Sequence, residues 1–497
     1  MTKVSVFKGG GYEQHRSLLK QEKFWKYTNL ILLLIINIMC LGLSLYENFW
    51  YDEAYTIGMI QREFTDIIRT TSQDVHPPLY YILLKLFYIF PGMERLLAVK
   101  VFSWLFYLAY LLLGAHICRK HYNRRVECFW LILSGFMSPM IVQATSPRMY
   151  TLAIFCVTLA MYMAYLSIKK EKAGYWIGFA LVSAITMWLH TFCMIEMFVL
   201  YGFLVFWTFF KKKYRTLGKV FLCGLGVSAV YVPWLLVLWR QFSRWAGWES
   251  GWSNTIEPFG LNAVKAWVAE WFSVLENPSI VVVLGCVIVF LTAGISGFRY
   301  VKRTKDFMAC AGVIFAGVVV VLAIIVTIAI VPCFLGRYIF PLFGAVFLFV
   351  AIGLDNMQCR WIKGICALII ICCGLFTYRG EIVLENPEGL NNYRAYMDEN
   401  MQQDELIMAD TYFLMMMSIY YPDNDYMIYG AVPACMPFDG CKAFTAWEQL
   451  ENEDVVWYLN FKDFRVGGLD ERYEIVDRLE IKFYYYDIVV EKYVKKE

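Results

Sequence analysis

Apolar runs of about 20 residues, parted by short polar turns, recur from Tyr27 to about Tyr378. Each is long enough to carry a helix across the hydrocarbon core of a bilayer. The pattern predicts spans near 27–46, 96–118, 127–145, 150–168, 174–190, 192–210, 218–239, 279–300, 307–331, 338–356 and 362–378, about eleven in all. One apolar stretch, Pro78 to Pro91, is half a span long and bounded by prolines and Gly92, so it is expected to lie in the interface or re-enter. After Arg379 the long runs stop. "DELIMAD" (404–410), "VVWYLN" (455–460) and "KFYYYDIVV" (482–490) read as strands, and "NNYRAYMDENMQQ" (391–403) reads as a helix. The expected fold class is a polytopic α-helical membrane protein with a small α/β C-terminal domain. Its parts are an N-terminal segment (1–26), a transmembrane domain (27–378) and a C-terminal domain (379–497).

Composition agrees with that pattern. Of 497 residues, 59% are hydrophobic and 18% charged, and the mean hydropathy is +0.50, more apolar than a soluble domain can hide. The first run is too long for a signal-peptide core and lacks a small-residue cleavage site, which predicts a retained anchor. The net charge of +3 matters less than where the bases lie. Lys3, Lys8, Arg16, Lys20, Lys23 and Lys26 precede the first span; further clusters stand at 119–125, 169–172, 211–215, 299–305 and 360–363. By the positive-inside rule all of these are expected in the cytoplasm, which leaves residues 47–95 and 379–497 outside. No nucleic-acid partner is expected. Most of the 15 cysteines lie in apolar runs as small hydrophobes; Cys435 and Cys441 in the polar C-terminal part are open to pairing. No cysteine or histidine spacing suggests a metal, and the chain has no P-loop, GxSxG or HExxH motif.

This topology gathers polar residues at the outer ends of the spans: Asp52, Glu53, Asp74, His76, Arg148, His190, Arg240, Arg244 and Arg337, with Trp245, Trp248 and Trp252. Ionisable groups that share a cavity at a membrane surface are candidates for function. Each also has a plainer reading. Asp52 and Glu53 in "WYDEAYT" serve as the polar flank of a helix, or one acts as a base while the other binds or orients. His76, ahead of Pro77 and Pro78, is a turn residue or a positioning group on a stiff segment. His190 ends "MWLH" as a satisfied interfacial residue or a catalyst. Arg148 in "SPRMY" and Arg337 in "GRYIFP" need anionic company, and two such forks suit a phosphate. The tryptophans from 234 to 252 read as an interfacial belt or as a stacking surface for a sugar.

In order, "WYDEAYT", "DVHPPLYY", "SPRMYTL", "WLHTF" and "GRYIFPL" resemble the GT-C superfamily of polytopic glycosyltransferases. The resemblance, over about residues 25 to 350, is to the branch holding protein O-mannosyltransferases, aminoarabinose transferases of lipid A and RgtA/B/C/D-like bacterial enzymes. It implies a GT-C fold in a bacterial cytoplasmic membrane, with 47–95 as the catalytic outer loop. It also implies inverting transfer from a polyprenyl-phosphate sugar, undecaprenyl in bacteria, to a hydroxyl or amine of a lipid, glycan, wall polymer or protein. Asp52 matches the catalytic base and Glu53 its neighbour, while Asp74, His76, Arg148, Tyr150, His190, Arg337 and Tyr338 fall at substrate-binding positions. No cofactor is implied, and the chain shows no evident carboxylate cage for a divalent metal. Pro147 stands where relatives commonly carry a small or acidic residue. Two other readings use the same residues. A flippase or transporter of lipid-linked sugars would give a role to Glu196 inside an apolar run, and a non-catalytic receptor would display residues 379–497.

Overall fold

The computed structural model describes residues 9–89, 94–246, 258–272, 279–329, 334–402, 404–429, 436–437, 441–462, 467–484 and 486–496. Helices follow the apolar runs closely. In chain order they are α1 (Gly9–Ser44), α2 (Tyr51–Gln61), α3 (Phe64–Gln73), α4 (Leu79–Tyr88), α5 (Arg95–His121), α6 (Arg124–Phe136), α7 (Ser138–Gln143), α8 (Tyr150–Lys170) and α9 (Ala173–Met187). They continue with α10 (Thr191–Phe210), α11 (Tyr214–Ala246), α12 (Leu261–Phe272), α13 (Ile280–Thr304), α14 (Phe307–Ala329), α15 (Phe343–Asn356), α16 (Arg360–Leu384), α17 (Glu388–Asn400) and α18 (Thr411–Met417). A 3₁₀ turn, Gly336–Leu342, leads into α15.

Among the described residues, nine helices are long and apolar enough to span a membrane, against the eleven expected. The run at 127–145 is not one helix. It breaks at Met137 into α6 and α7, because Pro139 in the first turn of α7 has no N–H to continue the ladder. The run at 174–190 gives the 15-residue α9 and stops before His190, which caps the next helix. The half-length stretch forms the ten-residue α4, about 15 Å long and too short to cross. Its Lys85 donates to the carbonyls of Ile60 (3.1 Å) and Arg62 (2.7 Å), closing the C-terminal end of α2. Ahead of the first span, α1 already runs from Gly9, so much of segment 1–26 is helical.

The basic turns all fall on one face. Tyr122 reaches Asp306 (2.7 Å), Arg125 pairs with Asp355 (2.8 Å), and Arg124 lies 3.6 Å from Glu22 at the start of the first span. His121 meets Tyr165, which Lys169 bonds, and Glu171 pairs with Lys213. The opposite ends of the same helices close around α2, α3 and α4.

The C-terminal part is a six-stranded sheet, in the order β3-β2-β1-β4-β6-β5. The strands are β1 (Leu406–Ala409), β2 (Tyr426–Tyr429), β3 (Cys441–Phe444), β4 (Val455–Phe461), β5 (Tyr473–Phe483) and β6 (Tyr486–Lys495). Strands β1 to β4 pair parallel, and β4, β6 and β5 antiparallel. The run "KFYYYDIVV" is two strands rather than one: Tyr484 takes a left-handed backbone (φ 54°) and the chain folds back as a hairpin. The expected helix at 391–403 is α17. Cys435, the expected candidate for pairing with Cys441, lies outside the described residues.

One continuous core runs from the helix bundle into the sheet, and α18 packs on α2. Arg62 donates to the Pro437 carbonyl, Arg95 to that of Ile419, and Tyr420 to that of Glu47. The sheet is therefore fixed to the junction. Within the bundle, the glycines at helix crossings set the spacing: a Cβ at Gly353 would lie 2.2 Å from the Ala293 carbonyl oxygen, so α13 and α15 touch through backbone. At Gly317 nothing lies within 4 Å. Gly353→Leu should therefore lower the thermal midpoint in detergent, at a cost of about 1–3 kcal/mol, while Gly317→Leu should leave it near wild type.

Candidate active site

The two adjacent acids of "WYDEAYT" occupy the first turn of α2, where the helix dipole favours negative charge. Trp50 is the N-cap, and Glu53 reaches back to accept from its backbone N–H at 3.3 Å. Asp52 and Glu53 then diverge. Asp52 faces Arg337, with Oδ2 3.4 Å from Nη2 and both side chains 21% exposed. Glu53 is buried and turns toward Lys100 and Ser146. Burial pushes the Glu53 carboxyl up to about 7, with Lys100 opposing and Glu385 adding to the rise.

Arg148 is buried beneath this turn, in the short link between α7 and α8. Its Nη1 donates to the Asp52 carbonyl (3.1 Å), the Thr56 hydroxyl (3.4 Å) and the Tyr81 hydroxyl (3.4 Å). It thus ties α2 to α4 at the position of Asp52. Its Nε and that of Arg337 have no hydrogen-bond partner among the described residues. Arg337 is held from the other side: Glu270 of α12 accepts from its backbone N–H at 3.0 Å, and its guanidinium lies 5.7 Å from the Trp50 ring centre. Trp267 and Trp271 donate to the carbonyls of Phe334 and Gly336, so α12 clamps the whole turn. Burial raises the Glu270 carboxyl, and Arg337 opposes it.

His76 and His190 pack together with ring centres 4.4 Å apart. His190 caps α10: its Nδ1 accepts from the Phe192 N–H at 3.0 Å, which puts the proton of the neutral ring on Nε2. Thr191 donates to the Val75 carbonyl and so pins the bend that carries His76. Burial holds His76 well below the usual histidine range, and the nearby His190, Arg148 and Arg337 push it the same way. Tyr338 lies 4.9 Å and Tyr150 5.8 Å from the His190 ring. Asp74 neighbours Arg148 and Tyr55; burial pushes its carboxyl up to about 6.

Asp52, Glu53, Asp74, His76, Arg148, Tyr150, His190, Arg337 and Tyr338, which come from five separate segments, thus surround one junction. Arg240 does not join them. It lines a separate cavity with Ser72 and Gln73, between α3 and α11. The side chains of Arg244 and Trp245, and all of Trp248 and Trp252, lie outside the described residues. Of the two arginines, Arg148 braces α2 while Arg337 pairs with the Asp52 carboxylate.

A cavity of about 270 Å³ opens beside Arg337 and Glu53. Its walls include Lys100, Glu270, Glu381, Glu385 and Tyr484, which the sequence reading did not select. A signal existed for two of them. Lys100 stands in the apolar "LAVKVFSW" and Glu270 in "VAEWF", both unusual places for charge. Lys100 bonds Glu385 at 3.5 Å and lies 4.9 Å from the Phe49 ring. Among the described residues, no group of three or more His, Cys, Asp or Glu is arranged to hold a metal ion.

No family model matches the chain, and no curated protein does. Solved structures do. The apo ArnT from Cupriavidus metallidurans aligns over 93% of this chain and 97% of its own, at TM-score 0.66 and 12% identity. The same enzyme bound to undecaprenyl phosphate gives TM-score 0.65, again at 12% identity and with 93% and 97% covered. The chain has the GT-C fold. An Archaeoglobus fulgidus oligosaccharyltransferase in complex with zinc and sulfate aligns over 80% of this chain and 62% of its own, at TM-score 0.49 and 12% identity.

Burial of Glu53 has a measurable sign. In the native protein its carboxyl takes up a proton near pH 7, in the unfolded chain near 4.5, so the native state binds more protons between those values. Wild-type stability should fall as pH rises through that window. Thermal midpoints measured across it should decline less steeply in Glu53→Gln than in wild type.

Proposed function

We propose that the protein is an inverting glycosyltransferase that moves a sugar from a polyprenyl phosphate to an acceptor hydroxyl or amine. The site then lies on the outer face of a bacterial cytoplasmic membrane and the N-terminus inside. The observation that carries the reading is the Asp52–Arg337 pair at 3.4 Å, set on a helix N-terminus above the buried Arg148 in a GT-C fold. Support for the donor class comes from the ArnT structure of the same fold, which binds undecaprenyl phosphate. The five basic turns on the far face support the orientation by the positive-inside rule.

The chemistry is a single displacement. The acceptor oxygen or nitrogen gives its proton to the Asp52 carboxylate and attacks the anomeric carbon from the face opposite the phosphate. The bond from that carbon to the phosphate oxygen breaks, its electron pair stays on the oxygen, and polyprenyl phosphate leaves. The guanidinium of Arg337, with the unpartnered Nε of Arg148 and the Nε2–H of His190 nearby, meets the charge that builds there. Arg337 has two suitors in this scheme. A donor phosphate competes with Asp52 for the same fork, so donor binding frees the carboxylate to act as base.

The transport reading keeps one observation, the fully buried Glu196 on α10 beside the Cys193 thiol. Purified protein in nanodiscs, offered a panel of undecaprenyl-phosphate sugars, separates the two. Wild type should release undecaprenyl phosphate from one of them, and Asp52→Asn should bind that donor yet release it about 10²–10⁴-fold more slowly. Absence of release from every donor, or equal rates in the variant, would favour transport or a receptor role.

A further inference from the structure

Several buried polar atoms around the junction have no hydrogen-bond partner among the described residues. On the Arg148 side the unpartnered buried atoms include donors, the Nε of Arg148 and of Arg337. Arg337 also borders the cavity beside it, where the other unpartnered atoms are acceptors: Gln143 Oε1 and Glu381 Oε1 have no partner among the described residues. Gln143 is only 6% exposed, so its carbonyl oxygen is shut away from bulk water unless something in the cavity meets it.

Charge points the same way. Lys100 is taken by Glu385, and Arg337 by Asp52. Glu53, Glu270 and Glu381 stand on the cavity wall without a salt bridge among the described residues. Glu53 receives the Trp50 N–H and the Ser146 side chain, and Glu270 receives the Arg337 N–H, whereas among the described residues Glu381 receives nothing at Oε1. Beside Glu381 and Gln143 in this cavity, a phosphate is disfavoured and a group that brings N–H donors with positive charge is favoured. The cavity also ends at the sheet: Tyr484, at the hairpin tip, donates to Glu385 at 3.5 Å and closes the wall.

We propose that this cavity is an acceptor subsite that selects a molecule carrying a protonated amine, docked against Glu381 and Gln143. The proposal rests on the transferase reading above, since it assigns the donor phosphate to the arginine side and the acceptor to the carboxylate side. The amine need not be the nucleophile; it fixes the acceptor while a neighbouring hydroxyl meets Asp52.

Binding tests the subsite apart from turnover. Saturation-transfer NMR on the full-length protein would compare glucosamine with glucose, a pair matched in size to a cavity of about 270 Å³. Undecaprenyl phosphate binding is measured in parallel. Glucosamine should bind at least about tenfold more tightly than glucose, a difference of about 1.4 kcal/mol. Glu381→Gln should erase that preference and leave undecaprenyl phosphate binding unchanged. Gln143→Met, which keeps the volume but removes the acceptor, should weaken glucosamine selectively, a check should Glu381→Gln fold poorly. Equal binding of the two sugars in wild type would overturn the proposal, as would a preference that survives both substitutions. Loss of undecaprenyl phosphate binding in wild type would instead strike the transferase reading.

Discussion

A guanidinium shut away from water must keep anionic or carbonyl company, since an uncompensated buried charge costs about 3–5 kcal/mol. That requirement organises the junction. Arg148 is buried and meets it with the Asp52 carbonyl and two hydroxyls, which joins α2 to α4 and sets where the Asp52 side chain starts. Arg337 meets it with the Asp52 carboxylate and, through its own backbone N–H, holds Glu270 of α12. Two cations thus grip one short helix from below and from the side. The helix itself is closed at its far end by Lys85.

The close approach that this needs is supplied elsewhere. The run at 127–145 breaks at Met137, which lets α7 end at the Arg148 link instead of running on as one rod. Gly353 on Ala293 and Gly374 on the Phe136 carbonyl let helices meet through backbone, leaving the ends of the bundle free to converge. The sheet then settles on that convergence and brings the tip of its last hairpin to the cavity wall.

Much of this was legible in the chain because a bilayer imposes a length and a side on every segment. Most spans, the half-length α4 and the common face of the basic turns follow from run length and from where Lys and Arg sit. The residues of the junction were legible as isolated polar groups at span ends, and the order of their motifs tied them together. What was not legible depends on contacts between distant segments. Lys100 looks like a misplaced charge until Glu385, far along the chain, is beside it. Glu381, Glu385 and Tyr484 read as ordinary surface residues of a separate domain, and only its docking turns them inward. The hairpin at Tyr484 was hidden because three tyrosines in a row keep the alternation of a single strand. The break at Met137 was hidden because its flanks are as apolar as an unbroken span.

The account turns on Arg337 being shared between the base and the leaving phosphate. The most direct measurement is a structure of the full-length protein with undecaprenyl phosphate bound. The phosphate should lie within hydrogen-bond distance of Arg337, with the Asp52–Arg337 separation opened beyond 3.4 Å. A phosphate seated elsewhere, with that pair intact, would contradict it.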